Sequence, residues 1–237
     1  MTVAATAAPL TDAMVFPRPI RAVVFDMDGL LLDTEVRYKD VILAAAIDRG
    51  APLPEDVFNQ MIGTPLAHSL QVLSDFYGPD YDGEALFADA TERFRVLSQG
   101  EDLLKAGVLE LLDHLDAMNI PRAIATSSSH DSVRHHLEPN GVLARFDAVI
   151  ARGDYVNGKP APDPFLTAAK ALGVPPEECL GLEDSHNGVR AAHAAGMMTV
   201  MVPDLLAPTD EMRTLAVAIA DSLHHVLDLV KAHQAAG

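Results

Sequence analysis

Two carboxylates, Asp26 and Asp28, close the short apolar run Val23-Val24-Phe25, and Gly29 follows at once. Acids spaced i, i+2 after a β-branched run belong at the carboxyl end of a buried strand, the edge at which open α/β sheets bind ligands. Acids so close are both ionised only beside a cation; otherwise one of them keeps a proton, and either arrangement is useful in catalysis. Taken alone, the segment also reads as a strand followed by an Asp/Gly turn. Three other segments share its character. Residues 121–129 end an apolar run in the hydroxyls of Thr126, Ser127, Ser128 and Ser129. Gly158-Lys159-Pro160 places a lysine in a stiff loop, and residues 179–185 end a further apolar run in Glu183 and Asp184.

The hydrophobic pattern shows what positions these groups. Tyr38, Val41, Ile42 and Ala45 repeat at helical spacing before Gly50; Leu66, Leu70, Leu73 and Tyr77 do the same, and Leu86, Phe94 and Leu97 mark another helix. From Leu103 the pattern alternates. Val108, Leu111, Leu112 and Leu115 mark a helix leading to the strand that ends at Thr126. Helix is expected at 130–137, strand at 148–150, and helix at 163–172 closed by Gly173. The Cys179 strand, a helix over 188–195 closed by Gly196 and a strand over 198–202 continue the series, with an edge strand at 216–220. The expected fold is α/β, a Rossmann-like, mostly parallel sheet with an inserted all-helical cap. Its expected divisions are a flexible tail over 1–20, a core over 21–34 and 104–237, and a cap over 35–103.

The 237 residues are 49% hydrophobic, enough for a substantial core, and carry a formal charge of −17 from 34 acids and 17 basic residues. Such a field repels polyanions, so nucleic acid is not an expected partner. A small anion would need a locally positive site made by a metal, a lysine and helix N-termini. Cys179 is the only cysteine and reads as a small buried hydrophobe in a reducing compartment. The first twenty residues lack the pattern of a secretory signal, and no stretch reaches the ~18 apolar residues of a membrane span. The expectation is a cytoplasmic protein without a membrane partner. Ten histidines raise the question of zinc, but His135 with His136 and His224 with His225 are adjacent pairs, which diverge on a helix, and no Cys/His framework exists. They are expected at the surface, as is His186, the one histidine near the acids of residues 183–184.

In order and spacing, the four segments resemble the motifs of the haloacid dehalogenase-like hydrolases, most of which are phosphatases, and the resemblance spans residues 21–221. The string from Asp28 to Glu35 and residues 191–203 look most like the sugar-phosphate and nucleoside-monophosphate phosphatases near β-phosphoglucomutase, with the pseudouridine 5′-phosphatase group particularly close. The resemblance implies that Asp26 attacks phosphorus to form an aspartyl-phosphate. Asp28 is implied as the acid for the leaving oxygen and then as base toward water. It implies phosphate binding by Thr126, the Ser127 N–H and Lys159. It also implies Mg²⁺ on Asp26, the Asp28 carbonyl and Asp184, with Glu183 an orienting group or a ligand through water. Helix capping is the alternative for residues 183–185, and turn formation for Ser128 and Ser129. Tyr38, Met61 and Leu66 would form the cap face toward the substrate.

The function so implied is Mg-dependent hydrolysis of a small-molecule phosphate monoester: a sugar phosphate, or a nucleoside or C-ribosyl 5-phosphate. Asp28 argues against dehalogenation, whose ester needs no leaving-group acid, and the Lys-Thr-Gly-Thr of transporting ATPases is absent. A β-phosphoglucomutase-like phosphomutase is the near alternative. Leu66 and Tyr38 stand where those caps carry an arginine and a histidine. A non-catalytic phosphometabolite-binding protein is the alternative of another class.

Overall fold

The computed structural model describes residues 16–64, 66–98, 101, 103–139 and 141–236. Six parallel strands form one sheet in the order β3-β2-β1-β4-β5-β6. They are β1 Ala22–Phe25, β2 Arg122–Ala125, β3 Ala148–Ile150, β4 Cys179–Glu183, β5 Met198–Met201 and β6 Ala218–Ile219. The strand order reverses between β1 and β4, which are paired with Phe25 opposite Leu182. This is the switch point where a ligand crevice opens in a doubly wound sheet. Every β1 residue is buried because both faces of the sheet are covered. Val23 and Phe25 enter one core cluster with Leu111, Leu112, Leu115, Val226 and Val230, whereas Ala22 and Val24 enter another with Phe165, Ala168, Ala191 and Ala192. The period-2 alternation of strand side chains divides one apolar run between two cores.

Between β1 and β2 lie four helices, α1 Glu35–Asp48, α2 Glu55–Asn59, α3 Leu66–Tyr77 and α4 Gly83–Leu97, with α5 Val108–Ala117 leading back into the sheet. The first four enclose a hydrophobic cluster of their own, which includes Ile42, Ala45, Phe58, Met61, Leu73 and Leu86. α2 was not expected, since five residues are too few to show a helical period. The remaining helices are α6 His130–Leu137, α7 Asp163–Leu172, α8 His186–Ala194, α9 Asp210–Leu215 and α10 Leu223–Ala236. α8 begins two residues before its expected start, with Ser185 as N-cap accepting from the Gly188 N–H.

Of the segment 1–20 expected as a tail, residues 16–20 are among those described. Phe16 is buried and meets the ring of His233 edge-on at a centroid distance of 5.4 Å. α10 supplies the surface that holds it, and residues 1–15 lie outside the described residues. Among the described residues no helix is long and apolar enough to cross a membrane.

Candidate active site

β1 ends by placing Asp26 against β4, where its N–H donates to the Leu182 carbonyl at 2.9 Å. β4 ends in Glu183 and Asp184 beside it. One carboxylate oxygen from each of Asp26, Glu183 and Asp184 lies within 4.8 Å of the others, and all three residues are buried. Lys159 reaches this cluster from the loop before α7. Its ammonium donates to Asp26 Oδ1 and to Glu183 Oε1, each at 2.5 Å, and sits 5.1 Å from the Phe165 ring centroid.

Two glycines give the carboxylates room. At Gly29, where φ is +84°, a Cβ would overlap the Asp184 carboxylate, and at Gly188 it would overlap that of Glu183. Glu183 Oε2 also accepts from the backbone N–H of Asp184 and of Ser185 and from the Ser185 hydroxyl, so this side chain ties Lys159 to the β4–α8 turn.

Three carboxylates against one ammonium are an unbalanced set in a buried place. Burial above all pushes Asp26 and Asp184 well above the usual aspartate range; at Asp26 the Lys159 charge is the next influence and opposes it without cancelling it, and at Asp184 the neighbouring acids Asp26 and Glu183 add to it. Burial disfavours the lysine's charge, but Asp26 and Glu183 outweigh it and hold the ammonium above its ordinary range. The all-oxygen donors and the excess negative charge fit a hard divalent cation. Removing the lysine charge should therefore be costly. Lys159→Met should lower the unfolding free energy of metal-free protein by ~3–5 kcal/mol in denaturant titration. The deficit should shrink toward acid pH, where protons replace the missing cation.

Asp28 is held differently from Asp26. It accepts from the Thr34 hydroxyl at 3.0 Å and the Ser128 hydroxyl at 2.7 Å. Ser128, read from the sequence as turn material, is therefore a partner of the second aspartate, while Ser129 is the N-cap of α6. Thr126 is buried at the end of β2, where its hydroxyl oxygen accepts from the Ser128 N–H at 3.0 Å. Ser127 is exposed beside it.

Of the expected cap residues, Met61 is buried in the α1–α4 cluster and Tyr38 packs against it, edge-on to Phe94 at 5.8 Å. Leu66 alone of the three is open, 54% exposed. His186 stays outside the carboxylate cluster and bonds the Ala207 carbonyl at 2.9 Å. His135 and His136 are half-buried rather than on the surface, and His136 packs on Phe94 at 5.8 Å because α4 lies over that end of α6. Glu35, for which no role was expected, opens α1 near Asp28. Burial, then Asp28 and Asp204, push its carboxyl up to about 7 against the pull of Lys105.

The sequence profile of haloacid dehalogenase-like hydrolases matches residues 20–196, which contain Asp26, Asp28, Thr126, Ser127, Lys159, Glu183 and Asp184. The chain belongs to that family. A probable pseudouridine-5′-phosphatase of Drosophila melanogaster is 37% identical over 79% of this chain and 83% of its own. A phosphorylated carbohydrates phosphatase of Thermotoga maritima is 33% identical over 75% and 82%. Among solved structures, CbbY of Rhodobacter sphaeroides in complex with phosphate superposes with a TM-score of 0.73 at 26% identity, covering 90% of this chain and 99% of that one.

Proposed function

We propose that this hydrolase is a Mg²⁺-dependent phosphatase of a small phosphate monoester, either a sugar phosphate or a nucleoside or C-ribosyl 5-phosphate. The observation that carries the reading is the contrast between two aspartates two residues apart. Asp26 is ion-paired to Lys159 inside the carboxylate cluster, and Asp28 is held by two hydroxyls. A carboxylate held beside an ammonium, which a bound cation would keep ionised, and a separately held acid are what phosphoryl transfer to a carboxylate requires.

An Asp26 oxygen forms its bond to phosphorus as the ester P–O bond breaks, and Asp28 gives its proton to the departing alkoxide. Asp28 then takes a proton from the water that attacks the aspartyl-phosphate, and inorganic phosphate leaves with Asp26 restored. Lys159, the Thr126 hydroxyl and the Ser127 N–H bear the charge on the phosphoryl oxygens. Asp26, Asp184 and the Asp28 carbonyl would hold Mg²⁺, with Glu183 orienting them; the bound cation supplies further neutralisation of phosphoryl charge. The unit of α1–α4 acts as a cap that excludes bulk water. The lone buried thiol of Cys179 suits the cytoplasm.

A screen of phosphorylated metabolites at fixed Mg²⁺, including pseudouridine 5′-phosphate, ribose 5-phosphate and hexose phosphates, tests the proposal by release of inorganic phosphate. Phosphate should be the main product. Conversion of hexose 1-phosphates to 6-phosphates faster than phosphate release would replace the reading with a mutase. Leu66 gives a finer test. Leu66→Arg should weaken binding of an ester with an apolar leaving group by ~1–3 kcal/mol, seen in KM, and scarcely alter kcat for a small aryl phosphate.

A further inference from the structure

We propose that Asn187 is a positioning residue whose side-chain amide clasps the α1–α4 unit, at the Gly63 carbonyl, onto the catalytic edge of the sheet. Arg190 and Glu211 set the direction in which that amide faces. The Asn187 amide nitrogen donates to the Gly63 carbonyl at 2.5 Å, joining α8 to the loop between α2 and α3. Asn187 lies three residues beyond Asp184, so the clasp is anchored on the segment that carries the carboxylates.

An asparagine amide turned end for end would set its carbonyl against that of Gly63. Arg190 prevents this by donating from Nη1 to Asn187 Oδ1 at 3.0 Å. Arg190 is itself fixed by a two-pronged pair with Glu211 of α9, at 2.7 Å from Nε and 2.6 Å from Nη2. The fork matches the carboxylate and leaves one nitrogen to orient the amide.

The other side of the clasp is also prepared. Gly63 has φ +65°, and a Cβ built on it would lie 3.4 Å from the Ser185 Cβ, so the loop backbone rests on the residue next to Asp184. Thr64 donates its hydroxyl to the Met61 carbonyl at 2.8 Å, and Met61 is buried among α1–α4. The loop therefore moves with the helices it belongs to. Leu205, after β5, also packs against that cluster, but an apolar contact is non-directional. The Asn187 bond is exposed and uncharged, which makes it weak enough to open for each substrate.

A clasp of this kind shows itself in the closed population, and the apparent affinity falls as that population falls. The proposal rests on the phosphatase reading for its kinetic arm only. In the full-length protein, Asn187→Ala should raise KM for ribose 5-phosphate roughly three- to tenfold, the range that one neutral hydrogen bond controls. kcat at saturation should fall less. Small-angle X-ray scattering without ligand should show a larger radius of gyration than the native chain. Asn187→Asp, which keeps the shape and the Arg190 contact but loses the donor, should do the same. Arg190→Gln should act in the same direction more weakly, and adding it to Asn187→Ala should change nothing further, because Arg190 works only through the amide.

A purely helix-supporting asparagine would leave KM and scattering unchanged on replacement by alanine, the better helix former, with a gain in stability as the only effect. Native KM and scattering in both Asn187 variants would overturn the clasp, as would effects of Asn187→Ala and Arg190→Gln that multiply in the double variant. If the native chain releases no phosphate from ribose 5-phosphate or from a small aryl phosphate, the phosphatase reading fails, and the scattering comparison alone decides the clasp.

Discussion

Asp26→Asn should cost at least ~10³-fold in kcat and leave the unfolding midpoint of the metal-free protein unchanged or higher. The two halves of this result have separate causes. An amide is nearly isosteric with the carboxylate but cannot attack phosphorus, so no covalent intermediate forms. The same change removes one of three crowded acids, and of the two that remain Glu183 still pairs with Lys159 at 2.5 Å. Relief of like-charge repulsion should offset the ion pair that is lost. Steady-state phosphate release and thermal unfolding in chelator, measured on one preparation, separate the two effects. Near-normal turnover would remove Asp26 from its role, and a large loss of stability would show that its carboxylate is structural.

The ends of the strands were the most legible part of this chain. Apolar runs that stop in Asp26, Thr126 and Asp184 mark buried parallel strands whose polar residues begin where the sheet ends, and the sheet places all three at one edge. What remained hidden depends on contacts between distant segments. Ser128 looks like any serine after a strand until the fold brings it 2.7 Å from Asp28, a hundred residues earlier in the chain. Gly188 sits within a helix, where glycine is unfavourable, and its reason is the Glu183 carboxylate occupying the space of a Cβ. Glu35 reads as an ordinary first-turn acid and becomes unusual only when burial and Asp204 surround it. α10 is different, for its signal was present: Leu223, Val226, Leu227 and Val230 follow helical spacing and are buried against the sheet.

Chelation should abolish turnover and added Mg²⁺ should restore it, with a proton balance that identifies where the cation binds. Without a cation, Asp26 and Asp184 are held well above their ordinary range by burial, with Glu183 adding to both and Asp26 adding to Asp184. A cation must displace the protons they retain, so Mg²⁺ binding should release protons, and its apparent affinity should rise with pH. Calorimetric titration in buffers of different ionisation enthalpy reads that release directly. The effect on stability has a definite sign. A carboxyl whose folded pKa is raised binds more protons folded than unfolded, so its contribution is present below the unfolded value of about 4 and is lost as pH climbs through the folded value. Metal-free protein should therefore lose stability as pH rises through that window, and saturating Mg²⁺ should reverse most of the loss. Asp184→Asn removes one ligand and one of the crowded acids together. It should raise the Mg²⁺ concentration needed for activity and flatten the pH dependence of the metal-free protein. Undiminished activity in excess chelator would exclude the metal from the reaction, and Mg²⁺ binding without proton release would move it away from Asp26 and Asp184.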